Sequence, residues 1–200
     1  MPSGDVLRVI CGQLDRGEID YFEFLALFTR QLAAEVGCTR AGLWIFIGSR
    51  GQRVLRNLAM YDSAKDRMVS ASDIEGPGVA AYFDALLRDG TVVAPDALDH
   101  PATAGFRDDL LRLDVRSLLD VCFSVNGNLF GAFSCEQVGS RVDWTRHQVQ
   151  RLRQIGAAAS LTLVRAVHQQ VDTAHGELWE TSTPNRLMTM PLPLDPDHKT

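Results

Sequence analysis

Lysine is almost missing from this 200-residue chain: Lys65 and Lys199 are the only two, and arginine supplies the rest of the 20 basic side chains. Against 25 acidic residues this leaves a formal net charge of −5. No basic cluster forms, which argues against a nucleic-acid-binding face. Long apolar runs are missing too. None approaches the ~20 residues of a membrane-crossing helix. The opening residues, MPSGDVLRVICGQLDRGE, have neither the basic start nor the apolar stretch of a secretory signal. The expectation is a cytoplasmic protein with no membrane and no nucleic-acid partner. The four cysteines (Cys11, Cys38, Cys122, Cys135) include no CxxC pair, so a cysteine zinc site is not expected. No second His or Cys stands at ligand spacing beside His100, so no metal site is expected there either.

The residues present are those of a globular domain, 46% hydrophobic and 22% charged. Two hundred residues usually form one domain. Leu7, Ile10 and Leu14 place one apolar face on a short helix within an N-terminal extension, 1–18. Phe22, Leu25, Phe28, Leu32 and Val36 recur at helical spacing, and Gly37 stands at the C-cap position. The pattern then changes. Residues 41–47 (AGLWIFI) read as a buried strand, 49–52 as a turn, and 54–61 as the second strand of a hairpin. Residues 62–78 are polar and carry Gly76-Pro77-Gly78, and read as a loop with room for a short third strand. A helix over 79–89 closes at Gly90, a short strand covers 91–94, a loop covers 95–106 and a helical turn or two covers 106–113. Two apolar runs, 116–125 and 128–138, flank Asn126-Gly127, the strongest short hairpin signal. Thr145 and Gln148 fit a capping box at the start of a last helix, which is expected to end near 172. Residues 173–200, rich in proline after 184, are expected to be extended or disordered.

This order predicts an antiparallel sheet with helices, an α+β domain. Counting outward from Asn126-Gly127 pairs Cys122 with Gly131 and Leu118 with Cys135. Side-chain alternation then puts Asp120, Cys122, Gly131, Phe133 and Cys135 on one face. Cys122 and Cys135 fall about 13 Å apart along the strands, too far for a disulfide.

Several features over residues 20–168 occur together: Asp96-Ala97 with Asp99, Thr103, Phe106, Ser117, Leu119-Asp120, Gly127, Gly131, Glu136, Gly139, Arg141 and Trp144. In this combination the chain resembles the GAF family, in the subtype found before histidine kinases and diguanylate cyclases. The resemblance implies a GAF/PAS-like central antiparallel sheet over 19–172. Terminal helices are implied on one face, and pocket-covering helices and loops on the other. It also implies a stand-alone sensor that binds a small molecule of unknown identity, with no assigned cofactor. Signalling is expected through a homodimer of the terminal helices or a signalling partner in trans.

Trp44, Phe46, Tyr82, Phe83, Asp96, His100, Phe106 and Asp120 are the candidate ligand-binding residues. For Asp96 and Asp99 the leading reading is as loop anchors that bond backbone amides, with ligand contact second. Glu136 and Arg141 form a candidate ion pair. A filled pocket and a ligand-free interaction scaffold is the alternative. One branch of GAF proteins reduces free methionine sulfoxide with thiols, and phytochrome-type members attach bilins through a Cys. The lack of clustered cysteines here, and of any Cys between 39 and 121, leads to the expectation of no catalysis and no covalent bilin. The last helix carries apolar residues beyond a single stripe, including Ala158, Leu161 and Val164, which favours a second subunit against it.

Overall fold

The computed structural model describes residues 4–48 and 53–180; the turn expected at 49–52 and the tail after 180 lie outside them. The chain opens with α1 (Gly4–Asp15) and α2 (Tyr21–Val36). α2 begins at a reciprocal cap: Asp20 accepts from the Glu23 amide at 2.8 Å, and Glu23 accepts from the Asp20 amide at 3.1 Å. It stops at Gly37, whose left-handed backbone (φ 73°) returns an N–H to Ala33.

Strands β1 (Arg40–Ile47), β2 (Val54–Asp62) and β3 (Arg67–Met68) follow, then a 3-10 turn (Pro77–Val79) and α3 (Ala80–Asp89). Next come β4 (Thr91–Ala94), a 3-10 stretch (Pro101–Phe106) and α4 (Arg107–Arg112). The hairpin β5 (Val115–Val125) and β6 (Asn128–Val138) leads to α5 (Arg146–Glu180). The Thr145–Gln148 cap forms in both directions, at 2.8 and 3.2 Å. α5 runs past the expected end at 172, so residues 173–180 belong to the helix and not to an extended tail.

The strands form one antiparallel sheet in the order β3-β2-β1-β6-β5-β4. Its two faces bury separate cores. On one face Phe24, Phe28 and Leu32 of α2 and Leu152, Ile155 and Leu163 of α5 pack on Leu43, Leu119, Phe123 and Phe133. Gly156 brings α5 close to the sheet: a Cβ there would stand 3.0 Å from Phe123 Cβ and 3.3 Å from the Phe133 ring. On the other face Tyr82, Phe83 and Leu86 of α3 and Leu110 of α4 cover Trp44, Phe46, Leu55, Met60 and Val92. The expected helix–sheet–cover layering is therefore present.

The hairpin register corrects one expectation. Val125 pairs with Asn128 and Ser124 with Leu129, as counted from the turn. The register then shifts, so Phe123 pairs with Gly131 and Phe130 is the extra residue of a β-bulge. One residue of slip moves every later side chain on β6 to the other face. Cys122 therefore pairs with Ala132 instead of Gly131, and Leu119 instead of Leu118 pairs with Cys135. Phe133 and Cys135 belong to the helix-side core, away from Asp120 and Cys122. The Phe123 and Phe133 rings stack there at 4.8 Å. Gly131 fits beneath the Phe123 ring, which comes within 2.8 Å of where a Cβ would stand.

Candidate functional site

The inner strands set the floor of the covered face. Side chains two apart on a strand share a side, so Gly42, Trp44 and Phe46 of β1 line up facing α3. One rung runs straight across five strands there: Val92, Asp120, Ser134, Gly42 and Met60 are consecutive cross-strand partners. Its centre is polar and small, unlike the apolar rungs beside it.

Asp120 is 1% exposed, and Tyr82 of α3, 2% exposed, donates to its Oδ2 at 2.6 Å. The other oxygen, Oδ1, is buried and makes no well-aligned hydrogen bond, although the Ser134 hydroxyl on the neighbouring strand is near enough to favour the carboxylate. Burial pushes the Asp120 carboxyl up to about 7, against the opposing pull of the Ser134 and Tyr82 hydroxyls. Burial, and then the Asp120 carboxylate, hold the Tyr82 phenol well above its ordinary value. A second orphan faces the same floor: Trp44 Nε1 is buried and makes no hydrogen bond. The indole leans over Gly42, with Nε1 2.8 Å from where a Gly42 Cβ would stand, and Met60 Cε lies 2.9 Å from the same point.

Six of the eight predicted residues lie together. Phe46 and Phe83 approach at 6.2 Å between ring centroids, Tyr82 meets Phe106 edge-on at 5.1 Å, and Trp44 belongs to the same core. Asp120 joins them through Tyr82. Asp96 and His100 are occupied locally instead. Asp96 accepts from the Leu98 amide at 3.2 Å and pairs with Arg141 at 2.5 Å, while His100 Nδ1 accepts from the Ala102 amide at 3.2 Å and caps the 3-10 stretch. Arg141 therefore pairs with Asp96 and not with Glu136.

Glu136 pairs with Arg40 at 3.4 Å, and Arg40 also bonds Asp62 at 3.0 Å. Burial raises both carboxyls. For Glu136 that effect prevails over Arg40; for Asp62 the Arg40 and Lys65 bonds outweigh it and hold the group below its ordinary value. Ser134, Gly42 and Met60 were not among the predicted residues. Gly42 was legible from strand parity with Trp44, but Met60 and Ser134 were each hidden by a bulge in their own strand.

The thiols are placed for packing. Burial pushes Cys11 up to about 11 and Cys122 up to about 12, and holds Cys135 well above its ordinary value. Cys135 does have a cysteine neighbour that spacing did not reveal, Cys38, whose Sγ–H donates to the Arg40 carbonyl at 3.1 Å. Among the described residues no group of three or more His, Cys, Asp or Glu side chains is arranged to hold a metal ion. No described helix is long and apolar enough to cross a membrane.

A groove of about 800 Å³ opens on the opposite side of the sheet, between α1 and α5. Leu7, Cys11, Gly12, Ile155, Ala158 and Thr162 are among the residues that line it.

The model of the GAF domain family matches residues 20–163, and the chain belongs to that family. None of the curated proteins compared with it matches in sequence. Among solved structures it is similar to the phycoerythrobilin-bound GAF domain of a cyanobacterial phytochrome, with a TM-score of 0.64 at 13% identity over 85% of this chain and 98% of that one. The phycocyanobilin-bound GAF domain of a cyanobacterial phytochrome gives 0.61 at 14% identity, over 83% and 94%. Free methionine-R-sulfoxide reductase of Neisseria meningitidis, in complex with its substrate, gives 0.58 at 17% identity, over 84% and 91%. At these identities the likeness is one of fold.

Proposed function

We propose that this chain is a non-catalytic sensory GAF module that binds a small molecule between the sheet floor and α3, and signals through its terminal helices. The observation that carries this reading is the pair of orphaned atoms, Asp120 Oδ1 and Trp44 Nε1, on the covered face. A buried polar atom without a partner costs on the order of 1–3 kcal/mol, and a ligand seated on this face would satisfy these two; a third such atom, Trp144 Nε1, lies in the helix-side core. Bilins occupy the domains of two similar structures, which supports a small-molecule role for this scaffold. The raised thiol pKa values support the non-catalytic part, because an attacking cysteine must be a thiolate.

Binding on the covered face reaches the other side through β5 and β6, whose alternate side chains belong to the two cores. The α1–α5 groove, with Ala157, Ala158 and Leu161 exposed beside it on α5, is the surface we assign to a second copy of the chain. A cytoplasmic setting fits the four free thiols.

One observation favours a ligand-free scaffold. Trp44, Phe46, Leu55, Met60, Tyr82 and Phe83 fill the covered face, and the groove lies elsewhere. A thermal-shift screen separates the two readings. Under the sensory reading a ligand at 100 times its Kd adds about 2.7 kcal/mol of stability. A Tyr82→Phe variant should lose most of that gain. If no nucleotide, amino acid, organic acid or tetrapyrrole stabilises the chain, the scaffold reading replaces it.

A further inference from the structure

We propose that residues 187–194 of this chain return along α5 and fill the groove between α1 and α5, so that an extended segment clamps the two terminal helices together. The inference goes beyond the sensory reading. It gives the groove an occupant from the same chain and leaves the exposed Leu161 beside it to the second copy.

The groove sets the kind of occupant. Its walls are two helices, whose backbone N–H and C=O groups are spent on their own turns. It therefore offers side chains only, with Leu7, Cys11 and Ile155 buried and Ala157 and Ala158 exposed along the α5 wall. A strand-like occupant would leave its backbone donors unpaired there. Residues 187–194, LMTMPLPL, lie outside the described residues and have the matching chemistry. They carry no charge, and Pro191 and Pro193 have no N–H to satisfy. Each proline also restricts the residue before it, so Met190–Pro193 favours an extended, polyproline-type backbone at little ordering cost. Such a backbone repeats every three residues. Leu187, Met190 and Pro193 then share one edge, and Met188, Pro191 and Leu194 the next, which puts two apolar edges side by side.

Reach sets the register. α5 ends at Glu180. Thr162, at one end of the groove, lies 18 residues back along the helix, about 27 Å, and Arg151, at the other, lies 29 residues back, about 44 Å. In a polyproline-type return at ~3.1 Å per residue, Met188 comes about 25 Å from Glu180 and Leu194 about 43 Å. The apolar run thus covers the groove from Thr162 to Arg151. Charge agrees with that direction. Asp195 and Asp197 come next in the chain and arrive at the first turns of α5, where Arg146, Arg151 and Arg153 stand and no acidic residue occurs before Asp172.

The test uses the full chain with 13C-labelled methionine methyls, whose five residues give five signals. Met188 and Met190 are assigned by substitution with leucine, and Met60, buried in the sheet core, reports the fold. In the wild type the Met188 and Met190 signals are expected away from their positions in a free peptide of residues 183–200, equally at low and high micromolar protein. Ala158→Arg puts a long side chain into the groove, and a Leu187→Asp, Leu194→Asp double variant puts one charge on each apolar edge. Either change should return both signals to the free-peptide positions and leave Met60 unmoved. If Ala158→Arg disturbs Met60, the double variant decides, since both its substitutions lie outside the folded core. Free-peptide positions in the wild type, or signals unmoved by the double variant, overturn the inference. A displacement that grows with protein concentration puts the segment on another copy and overturns it too. The ligand screen and the sedimentation of Leu161→Glu judge the sensory and dimer readings separately.

Discussion

Asp120 is the residue whose titration most directly reports the covered face. Its ordinary value is 3.8 and burial raises it to about 7. Between those pH values the folded chain holds a proton that the unfolded chain has released. Stability therefore falls as pH rises through that window, and levels off above about 7. Three pH units correspond to roughly 4 kcal/mol as an upper bound. Asp120→Asn removes the titration, so urea unfolding at pH 5 and pH 8 should differ less than in the wild type. A variant with the wild-type slope would place the proton elsewhere. Arg40 acts in the opposite sense, as the counter-charge of Asp62 and Glu136 at 11% side-chain exposure. Arg40→Met leaves two buried carboxyls without it and should cost ~3–5 kcal/mol at pH 7, read as a lower melting temperature. The candidate residues legible in sequence were the large ones, Trp44, Phe46, Tyr82, Phe83 and Phe106, because aromatic side chains at strand or helix spacing on the covering segments leave few other places to pack. Asp96 and His100 have the loop position and residue type of a ligand contact, but in the folded chain they bond locally, to Leu98 and Arg141 and to Ala102.

At the level of elements, the boundaries with strong local chemistry fell where residue type predicts them. Gly37 and Gly90 close their helices in the left-handed region, at φ 73° and 67°, and Asn126-Gly127 turns the hairpin at φ 52° and 80°. The bulge at Phe130 has no such local mark, because it is stabilised by what packs around it. Gly131 beneath the Phe123 ring and the Phe123–Phe133 stack make that register the one that fills the helix-side core. α5 depends on the same place. Alanine at position 156 gains helix propensity over glycine, but its Cβ presses on Phe123 at 3.0 Å. The branched Gly156→Val should cost ~1–3 kcal/mol by overpacking, measured as a lower urea midpoint with α-helical circular dichroism retained. A neutral result would mean that α5 rides higher above the sheet than these contacts require.

For the whole molecule, the proposed scheme puts recognition on one face of the sheet and assembly on the other. α1 covers part of α5, burying Leu7, Ile10, Cys11, Ala166 and Val167, with Asp15 and Arg165 pairing at 3.2 Å. It leaves Ala157, Ala158 and Leu161 exposed, Leu161 at 58%. If a second copy seats there, Leu161→Glu should convert dimer to monomer in sedimentation velocity without lowering the melting temperature of the monomer. A wild-type chain that sediments as a monomer at high micromolar concentration would remove the dimer from the scheme. A ligand that binds the wild type should then bind Leu161→Glu with altered affinity, since linkage between the faces is reciprocal.

Local chemistry in the amino-acid order was enough for most of the element sequence, the caps and the second hairpin's turn, because each depends on residues a few positions apart, and the combination of features from Asp96 to Trp144 was enough for the family. It was also enough to name the aromatic lining of the covered face. Which side each β6 residue takes, which carboxylate meets Arg141, and that Asp120, Ser134 and Gly42 form one rung were decided only in three dimensions. Those facts join residues as far as 92 positions apart, and a single extra residue in one strand reverses them.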